Sequence, residues 1–149
     1  MLHFRLVTPE RVMLEQELTS LSCPTKLGEI TILPHHTPLV AELVPGELTA
    51  RTAKGKPYMH VAGGFIEVLP DSTVVALADA AEHHYEIDLA LAEQARERAK
   101  TALAEAHVSD TAYAQAAASL ERSLARIKIA RKHAHRRNKP ITSEGVFSE

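Results

Sequence analysis

The most constraining feature of this sequence is a change of pattern near residue 81. Before it, glycine, proline or aspartate interrupts the chain every few residues. After it come two long runs rich in Ala, Glu, Arg and Lys, and the second ends before Pro140. The first part therefore reads as short strands joined by tight turns. Leu2, Phe4 and Leu6 alternate with polar neighbours, and Thr8-Pro9-Glu10 turns the chain. Strand-like segments follow around Leu18 to Cys23, Ile30 to Leu33, Leu39 to Leu43, Glu47 to Arg51, Tyr58 to Ala62, Phe65 to Leu69 and Thr73 to Ala78. Pro45-Gly46, Lys54-Gly55-Lys56-Pro57 and Pro70-Asp71-Ser72 separate them. Such spacing predicts an antiparallel sandwich.

From Asp88 the reading is helical. Asp88 can accept from the free N–H groups of a first turn, and Leu89 to about Ala106 holds no Pro or Gly. His107-Val108-Ser109-Asp110 breaks the run, and Ser109 or Asp110 caps a second helix to about Arg136. On it, Tyr113, Ala117, Leu120, Leu124 and Ile127 share one face. The short loop makes the helices antiparallel neighbours. The expected architecture is α+β: an N-terminal antiparallel β-sandwich (1–84), a C-terminal antiparallel two-helix hairpin (85–138) and a tail (139–149).

The facing residues expected on the first helix are Ala95, Ala99, Ala102, Leu103 and Ala106. A buried methyl contributes ~0.8 kcal/mol against ~1.5–3 for a Leu-sized side chain. An Ala seam brings helices close but holds them weakly, so the hairpin should open when a partner offers a better surface.

Chemistry is sparse. Hydrophobic residues make up 45% and aromatics 4%, and the formal net charge of −2 favours neither nucleic acid nor an anionic membrane. Cys23 is the sole cysteine, so no internal disulfide forms. It reads as a core residue. Strand-like sequence begins at Met1, which leaves no room for a leader peptide, and no run suffices to span a bilayer. The pairs His35-His36 and His83-His84 would point to opposite faces of a strand and form no chelate, so no metal is expected. Gly63-Gly64 lacks a following Lys-Ser/Thr and reads as a bulge or tight strand entry rather than a phosphate loop. No Gly-x-Ser-x-Gly occurs. Between Glu121 and Lys139 eight basic residues are opposed only by Glu121. They suit a helix C-terminus, but the run is denser than capping requires and points to an acidic partner. Without interleaved aromatics it does not point to nucleic acid.

Several motifs, taken in order, resemble the epsilon subunit of bacterial F-type ATP synthase. They are Thr8-Pro9; Gly28 through Leu39, matching Gly-x-x-Gly-Ile-Leu-Pro-x-His-x-Pro-Leu; Pro45-Gly46; Gly63-Gly64-Phe65-Ile66-Glu67-Val68; Ala78 to Glu82; and the hairpin itself. Thr25, Thr31 and His35 stand where the family often has Gly, so the local turn geometry should differ. The tail extends beyond the usual hairpin.

The resemblance implies a non-catalytic central-stalk subunit, peripheral on the cytoplasmic face of a bacterial inner membrane. Its β domain would bind the gamma subunit and touch the c-ring through the Pro-bracketed loop carrying Glu29 and His36. Its hairpin would extend among the alpha and beta subunits and block ATP hydrolysis, with Arg122, Arg126, Arg131 and Lys132 on acidic beta-subunit segments. Some members also bind regulatory ATP. Glu82, Ile87, Asp88, Ala92, Arg122 and Arg126 match that pattern here, but Leu91 replaces its key Arg. A charged donor to phosphate contributes ~1.5–3 kcal/mol, so any ATP binding should be weak. The simpler reading of Arg122 and Arg126 is as part of the basic face. A free-standing ATP sensor and a small metal-dependent enzyme built on the His pairs are the rival classes.

Overall fold

A computed structural model describes residues 1–56, 58–108 and 110–137. Pro57 of the expected turn, Ser109 as an alternative cap, and residues 138–149 with Lys139 and the tail lie outside the described residues.

The described residues form ten strands: β1 (Leu2–Val7), β2 (Val12–Leu18), β3 (Ser20–Thr25), β4 (Gly28–Ile32), β5 (Leu39–Leu43), β6 (Gly46–Arg51), β7 (Tyr58–Val61), β8 (Gly64–Val68), β9 (Thr73–Ala78) and β10 (Ala81–His83). A single 3-10 turn, His84–Glu86, leads into α1 (Leu89–Glu105) and α2 (Thr111–Arg137). The strand order is β10-β7-β6-β3-β5-β8-β9-β1-β2, with β4 also on β3. Between β3 and β5 the one registered pair is Thr25 with Leu43. The chain thus folds into two layers, β10-β7-β6-β3-β4 and β5-β8-β9-β1-β2. Pairing is antiparallel except between β1 and β9, which run parallel.

Alternation explains the core. On β1, Leu2, Phe4 and Leu6 point inward, with His3 and Arg5 exposed. They join Leu18, Leu21, Cys23, Ile32, Leu48, Met59, Ile66, Val68 and Val74 in one cluster. Gly64 is required where β8 meets β9: a Cβ there would lie 2.0 Å from the Leu77 carbonyl oxygen, and its φ is +132°. Gly63-Gly64 is therefore a tight strand entry.

The turn at His35 keeps the geometry that a glycine would supply. His35 has φ +64°, and its N–H donates to Ser72 Oγ at 2.9 Å. The expectation of an altered turn at His35 is thus corrected: the side chain accepts a left-handed backbone at a cost of ~1–2 kcal/mol, against which that hydrogen bond works. Thr25 and Thr31 are not among the positive-φ residues; they sit in β3 and β4 as ordinary strand residues.

Asp88 caps α1 by accepting from the Leu91 N–H at 3.1 Å. The α1 residues buried or half-buried along the hairpin are Ala92, Ala95, Ala99, Leu103 and Ala106. Ala102, expected there, is exposed, and Ala92 takes a place in the seam. On α2 the expected face holds at Ile127, which is buried, and at Tyr113, Ala117 and Leu120, which are half-buried, and is corrected at Leu124. Leu124 is 48% exposed, whereas Ala116, Ser123, Ile127, Ile129 and His133 are buried. The reason is that α2 packs on two surfaces at once, α1 on one side and β6, β7 and the 3-10 turn on the other.

Candidate functional site: the seat of the helical hairpin

β7 is buried along its whole length because two layers cover it. Met59 and Val61 face the core cluster. Tyr58 and His60, on the other face, lie toward α2. In strand register Glu47 on β6 is opposite His60, and His60 is opposite Glu82 on β10. Directly opposed residues project to the same face. The sheet therefore presents the row Glu47–His60–Glu82 to the helix.

α2 answers it with cations. The Arg126 guanidinium forks onto Glu82: Nε donates to Oε1, and Nη2 donates to Oε2 at 3.2 Å. His60 Nδ1 lies 3.3 Å from the same Glu82 Oε1. Further along, Lys132 Nζ donates to Glu47 Oε1 at 3.1 Å, and His133 Nε2 lies 3.1 Å from Glu47 Oε2. The His133 ring is 3% exposed and tilts over Tyr58 at 4.0 Å between centroids. Burial pushes the Glu82 carboxyl upward, but the hydrogen bonds from His60 and Arg126 and their charges outweigh it, so its pKa is lowered overall.

A cavity of about 350 Å³ opens beside this row, lined among others by His60, Glu82, Ala95, Arg122, Ser123 and Arg126. Of the six residues matched to an ATP pattern, Glu82, Arg122 and Arg126 come together there. Asp88 is committed to the α1 cap, and Ile87 and Ala92 are buried and are not among the described residues lining the cavity. Leu91 is 56% exposed. His60 was not anticipated; a histidine inside an otherwise apolar strand was the only sign of it in the sequence.

Among the cations expected to meet a partner, Arg126 and Lys132 are occupied by the sandwich. Arg131 Nη2 instead reaches Glu93 on α1 at 3.0 Å, across the hairpin. Arg122 is exposed and forms no ion pair among the described residues.

Glu29 and His36 do not share one loop. Glu29 is exposed near the start of β4, beside a second cavity under α2 that also involves Leu124, Lys128 and Lys132. His36 is half-buried in the loop after β4, its Nδ1 2.7 Å from the Thr37 carbonyl oxygen. The extent of β4 corrects the expectation of a single loop carrying both. Among the described residues no group of three or more His, Cys, Asp or Glu side chains could hold a metal ion. No described helix is long and apolar enough to cross a membrane.

Comparison with known proteins gives the family of the chain. Residues 1–84 match the beta-sandwich domain of the ATP synthase delta/epsilon chain, and residues 86–131 match its long alpha-helix domain. The ATP synthase epsilon chain of Dehalococcoides mccartyi is 42% identical over 127 residues, covering 85% of this chain and 90% of that one. That of Moorella thermoacetica is 41% identical over 130 residues, covering 87% and 96%. In fold, the chain is similar to one in the Euglena gracilis mitochondrial ATP synthase OSCP/F1/c-ring structure. The TM-score is 0.74 at 24% identity, over 90% of this chain and 81% of that one. The sequence matches show that the chain belongs to the ATP synthase delta/epsilon family, with the epsilon chains of bacterial F-type enzymes.

Proposed function

We propose that this subunit is a non-catalytic part of the rotor, peripheral to the membrane on its cytoplasmic face, that joins gamma to the c-ring and restrains ATP hydrolysis through its hairpin. The observation that carries this reading is how the hairpin is held. An Ala seam joins α1 to α2, and hydrogen-bonded charge pairs join α2 to the sandwich. Charge pairs exchange partners at little net cost when equivalent carboxylates replace the first ones. Arg126 and Lys132 can thus leave Glu82 and Glu47 for acidic segments of beta subunits, with Arg122 and Arg131 joining them. The described form is the closed one.

Gamma would dock on the outer face of the β5-β8-β9-β1-β2 layer. Phe65 and Leu77, cross-strand neighbours on β8 and β9, are each 57% exposed there, and an exposed apolar patch of this kind suits a protein interface. The His36 loop and Glu29 would meet the c-ring. The direct experiment is hydrolysis by the assembled enzyme with and without residues 88–149. Removal should raise the rate, and an unchanged rate would refute the inhibitory role.

A second reading concerns the cavity beside Arg122 and Arg126, which has the charge for a nucleotide phosphate. A ligand there must compete with Glu82 for Arg126, so ATP binding should be weak. Calorimetry of the isolated chain decides it: tight binding would favour the sensor reading.

A further inference from the structure

We propose that the Glu47–His60–Glu82 row is a two-point clasp that reads the axial position of α2 and seats the hairpin in one register. The fit is metric. Glu47 and Glu82 stand on strands that flank β7, so they are two inter-strand steps apart, ~9.6 Å at ~4.8 Å per step. On α2 their partners Arg126 and His133 are seven residues apart, a rise of ~10.5 Å at ~1.5 Å per residue. Seven residues also complete nearly two turns, so both side chains leave the same face of the helix. A shift by one turn would carry both points ~5.4 Å off their partners.

Glu47 is the less obvious half of the device. It lies just after Pro45-Gly46. A Cβ on Gly46 would fall 2.9 Å from the Pro24 ring, so close packing of Pro24 fixes where β6 begins. Both Glu47 oxygens are used: Oε1 accepts from Lys132 and also from Thr49 Oγ1 at 3.3 Å, and Oε2 faces His133. Between the two carboxylates sits His60, 3% exposed, with Nε2 unpartnered among the described residues. A slipped helix would leave two half-buried carboxylates beside this ring without their cations, which is costly. The clasp therefore favours one closed register over the graded slippage that a smooth Ala seam would permit.

The inference rests on the reading of the hairpin as a separable arm, but its test needs no ATPase. Hydrogen exchange is followed in the full isolated chain carrying Glu47→Gln, Lys132→Met with His133→Gln, or all three changes. Glu47→Gln should speed exchange of the α2 amides from 127 to 133 about tenfold or more, the order expected for losing hydrogen bonds to a charged group, while β7 keeps its rate. The helix-side pair should give the same increase with β6 intact, and the triple variant should add little beyond either. Unchanged α2 exchange in the helix-side variant, or increases that simply sum in the triple variant, would overturn the clasp. Failure of the truncation experiment on hydrolysis would instead overturn the inhibitory role and leave the clasp standing.

Discussion

Arg126 and Glu82, 44 residues apart in sequence, form a two-pronged hydrogen-bonded pair that ties the second hairpin helix to the last strand of the sandwich. The pair sets a pH dependence. Hydrogen bonds and charge hold the Glu82 carboxyl below its ordinary value of 4.5 in the closed form. A carboxyl so lowered contributes stability that is present above the ordinary value and lost as pH falls through the lowered one. Hairpin closure, followed by fluorescence energy transfer between labels on β6 and α2, should therefore weaken below about pH 4.5. Glu82→Gln should remove that acid step. An identical acid profile in the variant would show that Glu82 is not the linked group.

The sandwich should fold without the hairpin. Its core cluster draws on strands alone, and the fully buried side chains of α1 are only Ala92 and Ala99. Residues 1–84 should keep a sheet-type circular dichroism spectrum and a cooperative melt and should co-purify with gamma. An unfolded fragment would contradict this.

Phe65→Asp with Leu77→Asp should abolish co-purification with gamma while the spectrum is unchanged. Each loses the burial of a large apolar side chain, ~1.5–3 kcal/mol at a docked surface. Retained binding would place gamma on another face.

Glu29 lies within β4 and His36 in the loop that follows it, so the two do not share a loop. If both meet the c-ring, Glu29→Ala and His36→Ala should each lower coupling of proton flow to synthesis. Their effects should add, as expected of independent sites. Full coupling in the double variant would remove both from that interface.

Cys23 is buried in the core, and burial together with nearby Glu29 pushes its thiol up to about 12. An alkylating reagent at pH 8 should label it only in denaturant. Rapid native labelling would mean that the sandwich opens locally.

What the sequence disclosed follows from how local each cause is. The inward Leu2, Phe4 and Leu6 of β1, the Asp88 cap and the Ala seam are short-range patterns, and each is present. β2 escaped because it is an edge strand with Met13 and Leu14 adjacent rather than alternating and with Glu15 and Glu17 exposed. β10 is only three residues long and has no internal pattern to read. On α2, one apolar face is too narrow a template for a helix touching two surfaces, so Leu124 lies outside and the buried His133 gives no apolar signal. The Glu47–His60–Glu82 row was illegible for a deeper reason. Its members come from three separate strands, and only the register of β6, β7 and β10 brings them together.

The central claim, that the same cations serve the closed seat and the inhibitory contact, is tested most directly by hydrolysis in assembled enzymes carrying Glu82→Gln or Arg126→Ala. Both changes break the same pair and loosen the closed hairpin. Glu82→Gln leaves Arg126 free to meet a partner carboxylate, so hydrolysis should fall below the wild-type rate. Arg126→Ala also removes the contact made on opening, so hydrolysis should rise above it. Changes in the same direction, with both proteins still bound to the complex, would contradict the account.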